Sequence, residues 1–599
     1  VGIKSADWLS AADAYIKVMA NHRSLAQTRM IIDDNNPEWN ERLPLIQLCD
    51  KVHALKLALQ DSKDHMRDRM GLAHLETETI LENSGIWADA SLDLHIPRTR
   101  TTGTLNIRYR FTPAYKAKYS IDVPNVYFEP RRDNHVTPCQ CAHCPPGIIP
   151  DDVATSEGPM PVGQYWPDLH EKLKAARVFI YITGWSVWCD HRLNRTMGAG
   201  EKKLGDLLKD KANQGVRVLV MVWHDKAGAL GTHCNETYKF FQGTKVECGN
   251  VAREPSDMSL IFTHHQKAVM LDHKGKLVTF VGGIDLCDGR WDTPDHTLFR
   301  SLKSAHAEDF YQNMITGVSG KTGPREPWQD LHSRLEGPIG RDVVTNFEER
   351  WRRLMPKKAD ALVNLEDLKI DYSPPKTFGP GGPFTCQLFR SIDNHIADLQ
   401  PLEDQARLFR GLAGSTTVYD KSIQLAYVHH IRRAKNFIYI ENQYFMGSSH
   451  LWETRNKMCT NLLPCEIAMK VASKIKEGTA FHAYIVIPIW PEGVPDTSII
   501  QEVLNWQGRS VATMYRIVAQ ALKEVGRREN PRKYLSFHCM VNRETDDGNE
   551  RDPNAKPEIN TDGWSMWKNR RAPIYIHSKF MNIDDEWFIM GSSNINQRS

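Results

Sequence analysis

An α/β fold made of two related halves, standing behind an N-terminal all-β domain, is what this 599-residue sequence predicts. Three observations carry it. Residues 1–112 read as short apolar strands separated by polar turns, a β-sandwich pattern. Beyond them apolar runs alternate with helical stretches, the grammar of α/β layers. One strand signature then occurs twice, as Ala176-Arg177-Val178-Phe179-Ile180-Tyr181-Ile182 and as Ala434-Lys435-Asn436-Phe437-Ile438-Tyr439-Ile440.

In chain order, Ala14 to Val18, Val52 to Leu59 and Leu105 to Phe111 are expected strands of the first domain, with Asp33-Asp34-Asn35-Asn36-Pro37 as one of its turns. The α/β grammar opens with Val178 to Ile182, a helix over 201–214 and a strand from Val216 to Trp223. Lys376-Thr377-Phe378-Gly379-Pro380-Gly381-Gly382-Pro383 has linker composition, after which the strand–helix alternation begins again. The expected domains are therefore 1–112, 113–373 and 374–599, the last two being the related halves.

Composition excludes several classes. With 41% hydrophobic and 25% charged residues the chain is average for a globular protein, and no run approaches the roughly 18 apolar residues of a membrane span. A formal net charge of +3 gives no strong pull on nucleic acid, so no nucleic-acid partner is expected. Twelve scattered cysteines suit reduced thiols, and the expected home is cytoplasmic.

Each half ends in His-x-Lys-x4-Asp on an apolar strand: His265, Lys267 and Asp272 in the first, His577, Lys579 and Asp584 in the second. Small residues follow each, Gly282-Gly283 and Gly591-Ser592-Ser593. Side chains alternate along a strand, so His and Lys of the motif share a side and can reach one phosphate. A phosphodiester gains negative charge in its transition state, which Lys267 and Lys579 would stabilise as fixed cations. One histidine attacks phosphorus as neutral imidazole and the other, protonated, gives a proton to the leaving alcohol. Asp272 and Asp584 are expected to hold neighbouring groups, and the small residues to let backbone approach the substrate. A single such motif would more often be an ordinary core histidine. Two copies in duplicated halves point to one shared site.

At these residues the chain resembles the phospholipase D superfamily, in its plant-type branch with an N-terminal C2 domain. The resemblance rests on Ile180-Tyr181-Ile182-Thr183-Gly184-Trp185-Ser186, Phe280-Val281-Gly282-Gly283-Ile284-Asp285-Leu286-Cys287-Asp288-Gly289-Arg290, Pro324-Arg325-Glu326-Pro327-Trp328, Ile438 to Phe445 and Asn594 to Ser599. It implies hydrolysis of phosphatidylcholine and related phospholipids to phosphatidic acid and a head-group alcohol, with transfer to a primary alcohol as a side reaction. It makes His265 the nucleophile, His577 the acid and Gln443 a substrate contact. It implies a membrane surface, with acidic lipids, as partner, and peripheral membrane association.

The resemblance also implies calcium, which takes several hard oxygen ligands. Asp7 and Asp13 have the spacing of one C2 loop and Asp61 and Asp68 resemble another, although Lys63 falls where an Asp is usual. In the catalytic region Cys141 and Gln329 stand where the family has Asp and His, and His296 is the remaining match to a second calcium site. Cys139, Cys141, His143 and Cys144 fit no common zinc spacing. Relative to the family, the chain is expected to start inside the C2 sandwich and to stop soon after the second motif. The competing readings are a nuclease or phospholipid synthase using the same paired motif, and a silent calcium-dependent membrane-binding fragment.

Overall fold

The computed structural model describes residues 13–597 apart from 21–22, 29, 32–33, 35, 42, 44–52, 62–68, 96–101, 114–121, 125, 142–153, 156–157, 160–163, 196–200, 226–230, 253–262, 377–382, 400–408, 411–417, 453–458, 546–551 and 553. It divides into two compact units, Val1–Tyr127 with Phe389–Arg432, and Phe128–Leu388 with Arg433–Ser599. The units are drawn differently from the expected borders at 112 and 373, because the segment after Phe389 packs with the first strands: Phe409–Arg410 lies beside Arg23–Gln27. Most of the expected linker, 377–382, lies outside the described residues.

Among the described residues the larger sheet of the first unit has six antiparallel strands: β1 (Ala14–Ala20), β2 (Arg23–Gln27), β3 (Ala54–Asp61), β4 (Arg69–Glu76), β5 (Ala88–His95) and β6 (Thr102–Tyr109). Their order is β2-β1-β3-β4-β5-β6. Register sets Ile16 opposite Leu59 and Val18 opposite Leu57, so alternate apolar residues share one face. Ala73, Leu75, Leu94 and Leu105 join the same cluster. β4 and β5 pair at Leu72↔His95 among the described residues.

The second unit contains the duplication. In the first copy β7 (Phe179–Gly184), β8 (Arg217–Trp223) and β9 (Glu247–Val251) are parallel, joined through helices Leu204–Asn213 and Cys234–Phe241. The hairpin β10 (Ala268–His273) and β11 (Lys276–Gly282) then adds antiparallel to β7. The second copy repeats this with β12 (Phe437–Asn442), β13 (His482–Val486), β14 (Leu535–His538), β15 (Lys579–Ile583) and β16 (Trp587–Met590). The strand orders are β9-β8-β7-β10-β11 and β14-β13-β12-β15-β16. Even the isolated bridges correspond, Val187↔Leu286 in one copy and Phe445↔Ile595 in the other.

The continuous apolar run Val218 to Val222 follows from burial of β8 on both faces, Val218, Val220 and Val222 in one cluster and Leu219 and Met221 in another. The copies are tied by Trp328-Gln329 pairing in parallel with Tyr575-Ile576. Among the described residues no helix is long and apolar enough to cross a membrane.

Candidate active site

His265 and Lys267 sit in the segment that enters β10, and His577 in the segment that enters β15, which begins at Lys579. The sequence places these pairs within strands; the structure places them at the strand entrances. The histidine carbonyls thus stand outside the ladder, and each lysine folds back on its own motif: Lys267 Nζ donates to His265 O at 3.2 Å, and Lys579 Nζ donates to His577 O.

The two imidazoles converge, ring centroids 6.4 Å apart and planes 51° inclined. Different groups orient them. His265 Nδ1 lies 2.8 Å from the carbonyl oxygen of Ser592, an acceptor that fixes the proton on Nδ1 and leaves the Nε2 lone pair free. His577 Nδ1 lies 2.6 Å from Asp330 Oδ2, a carboxylate that favours an imidazolium. A neutral orienter on one histidine and an anionic one on the other is the asymmetry that a nucleophile and an acid require.

Burial holds both imidazoles well below the usual histidine range, reinforced at each by Lys267 and Lys579. Burial likewise lowers the Lys579 ammonium and raises the Asp330 carboxyl. Two imidazoles and two lysines thus crowd one buried centre, where each added positive charge disfavours the next.

The lysines are not equivalent. Lys267 has a buried counter-ion, Asp285 Oδ2 at 3.0 Å, while Asp285 Oδ1 accepts from the backbone N–H groups of Trp185 and Ser186. In the second copy the residue after the small segment is Asn594, which donates to Gln443 Oε1 at 3.1 Å. Gln443 in turn donates to Tyr575 Oη at 2.7 Å, so its amide is engaged with protein groups on both sides.

Asp272 and Asp584 anchor backbone. Asp272 accepts from the N–H groups of Arg177, Val178 and Phe179 at 2.7 to 3.2 Å. Asp584 accepts from those of Lys435, Asn436 and Phe437 at 2.6 to 2.9 Å. Each ties a motif hairpin to the first strand of its copy. Asp272→Ala orphans buried amides and is expected to cost roughly 2–4 kcal/mol, against about 1–2 for the less buried Asp584→Ala, read by urea unfolding.

The glycines act differently from expectation. A Cβ on Gly283 would meet Asp330 Oδ1 at 2.1 Å and one on Gly282 the His332 Cα at 2.5 Å. They therefore leave room for Asp330, the partner of His577, and for His332. Ser592 serves through its carbonyl. Asp330 received no role from the sequence, and Ser592 only that of letting backbone approach the substrate, though each lies within or beside a motif it singled out.

His296, Cys141 and Gln329 form one buried cluster. Cys141 Sγ is 2.8 Å from Gln329 Oε1 and 3.7 Å from His296 Nε2; His296 Nε2 is 3.1 Å from Gln329 Oε1. Asp292 accepts from Arg325 and Trp328 and contacts His296 Nδ1 at 3.1 Å. A thiol, an imidazole and one amide oxygen do not fit calcium, which demands several hard oxygens. Among the described residues no group of three or more His, Cys, Asp or Glu side chains is arranged to hold a metal ion. Of the expected C2-loop ligands, Asp7 and Asp68 lie outside the described residues, Asp61 is described in its backbone alone, and Asp13 is buried. His143 and Cys144 lie outside them as well.

Duplicated halves that each deliver one histidine and one lysine to a shared centre define a paired-motif phosphodiester-transfer site. Residues 172–599 match the family described as Phospholipase D. Phospholipase D alpha 1 of Nicotiana tabacum is 39% identical over 98% of this chain and 78% of its own length, and that of Oryza sativa subsp. japonica is 38% identical with the same coverage. The Arabidopsis thaliana protein of that name is 43% identical over 80% of this chain and 64% of its own. The chain belongs to the phospholipase D family. Among solved structures, phosphatidylserine synthase of Haemophilus influenzae Rd KW20 aligns over 70% of this chain and 78% of its own at TM-score 0.32 and 10% identity, too remote to bear on the site.

Proposed function

We propose that this enzyme is a phospholipase D that cleaves phosphatidylcholine and related glycerophospholipids to phosphatidic acid and the head-group alcohol. The observation that carries it is the His265–His577 pair at 6.4 Å, one imidazole oriented by a carbonyl and the other by a carboxylate. His265 Nε2 attacks phosphorus, the bond from phosphorus to the head-group oxygen breaks, and His577 delivers its proton to that oxygen. A water then gives its proton to His577 as its oxygen attacks phosphorus, breaking the P–N bond and freeing His265. A primary alcohol in place of water yields a transphosphatidylation product. Lys267 and Lys579 stabilise the charge on the non-bridging oxygens.

The reading is tested by choline release from phosphatidylcholine vesicles. Turnover on duplex DNA but not on lipid would overturn it in favour of a nuclease.

The first unit's antiparallel sheet is read as a C2-like lipid-binding domain. Calcium there would be held by Asp7, Asp13, Asp61 and Asp68, bringing a cytoplasmic enzyme peripherally to membranes that include acidic lipid. Asn substitutions at Asp7, Asp13 and Asp61 are expected to weaken calcium-dependent vesicle sedimentation at least about tenfold while leaving hydrolysis of soluble short-chain lipid within about twofold. Equal loss in both assays would contradict the division of labour.

A further inference from the structure

Trp328 occupies a singular position beside the acid histidine. Its ring centroid lies 4.7 Å from that of His577, and its Nε1 donates to Asp330 Oδ2 at 3.3 Å, the oxygen that also binds His577 Nδ1. The same ring carries a cation: the Arg290 guanidinium carbon lies 4.2 Å from its centroid and 4.8 Å from that of Tyr311. Arg290 is only 3% exposed. One terminal nitrogen donates to the Asp288 carbonyl at 3.0 Å, while its Nε meets no hydrogen-bond partner among the described residues. A buried guanidinium held mainly by two aromatic faces costs desolvation that packing alone would not require, since an aliphatic residue would fill the space.

We propose that Arg290 is a positioning residue for His577, holding the Trp328 ring against the imidazole and supplying a fixed positive charge behind the acid. This rests on the two-histidine reading of the site. The charged and titratable groups around His577 are Asp330, Lys579, Lys267, Arg290 and His265, with the Tyr575 ring at 6.2 Å. Those around Arg290 are Asp288, Cys287, Tyr311, Glu492, the buried Glu326, whose carboxyl burial pushes up to about 8, and His191. Asp330 favours the imidazolium and Arg290 opposes it, so the two together hold His577 ready to lose its proton as the leaving oxygen gains charge. The ring itself keeps the imidazole from swinging away from phosphorus.

The test is the pH profile of kcat/KM on soluble short-chain phosphatidylcholine, with circular dichroism and thermal unfolding confirming the fold. In Arg290→Gln the charge is gone, His577 holds its proton to higher pH, and the falling alkaline limb is expected to move up by about one pH unit. Arg290→Lys keeps charge but not the planar stack; its limb is expected to stay in place while kcat falls roughly tenfold. A folded glutamine variant with an unmoved limb would overturn the proposal. So would a lysine variant with wild-type kcat, or one whose limb moves as far as the glutamine variant's. Failure of the underlying reading has a separate signature: His265→Ala or His577→Ala would retain activity, whatever Arg290 does.

Discussion

His577→Ala is expected to lower choline release from phosphatidylcholine by roughly 10³-fold or more while leaving the fold intact. The loss should depend on the leaving group. Choline leaves as a poor alkoxide that needs a proton, whereas p-nitrophenol leaves without one. On a p-nitrophenyl phosphodiester the His577→Ala variant should recover a burst of about one p-nitrophenolate per site but not the turnover, because His577 also takes the proton of the water that resolves the intermediate. His265→Ala should give no burst, because without Nε2 no bond to phosphorus forms on any substrate. The imidazole oriented by Ser592 and the one oriented by Asp330 would thus separate by chemistry, though they stand in equivalent places of a duplicated fold. An equal burst from both variants, or from neither, would show that the roles are not divided this way.

Asp330→Asn carries the second large effect. Among the described residues its carboxylate is the one anion bonded to the acid imidazole, so removing it should lower kcat by about 10²–10⁴. With the imidazolium less favoured, His577 loses its proton at lower pH, and the alkaline limb moves down, opposite to the Arg290→Gln shift. Stability should move the other way from activity. Burial raises the Asp330 carboxyl above its unfolded value, so the native state binds the proton more tightly and stability falls as pH rises through that interval. Asparagine removes this loss, so at pH 7 the variant should unfold at the same or a higher urea concentration than wild type. A variant that lost activity and stability together would show Asp330 acting as structural support.

Much of this was legible because chemistry imposes local spacing. A histidine and a lysine two residues apart beside an apolar strand form a pattern that survives in one dimension. The paired signatures at Ala176 and Ala434 likewise announced the repeated sheet order. Strand Arg217–Trp223 fell where the apolar run Val216 to Trp223 put it, and helix Leu204–Asn213 inside the expected 201–214. The orienting partners were illegible for a physical reason. Asp330 meets His577 across 247 residues and Ser592 meets His265 across 327, and no periodicity encodes such encounters.

The glycines show the converse difficulty. Gly282 and Gly283 correctly signalled a close approach, but sequence cannot tell whether substrate or a neighbouring strand fills the space; Asp330 and His332 fill it. The segment Phe389–Arg432 reads as part of the second half because it follows a linker-like composition, yet it packs with the first strands. Composition marks a change in the chain without saying which neighbour the next segment finds.

The central claim, a covalent phosphatidyl-histidine resolved by an incoming hydroxyl, is tested most directly by supplying ethanol during hydrolysis of phosphatidylcholine vesicles and measuring choline, phosphatidic acid and phosphatidylethanol together. The account predicts that phosphatidylethanol rises at the expense of phosphatidic acid while total choline release stays nearly constant, because both products partition from one intermediate. Choline release with phosphatidic acid as the only lipid product at every ethanol concentration would contradict it and place water, not His265, at phosphorus in the first step.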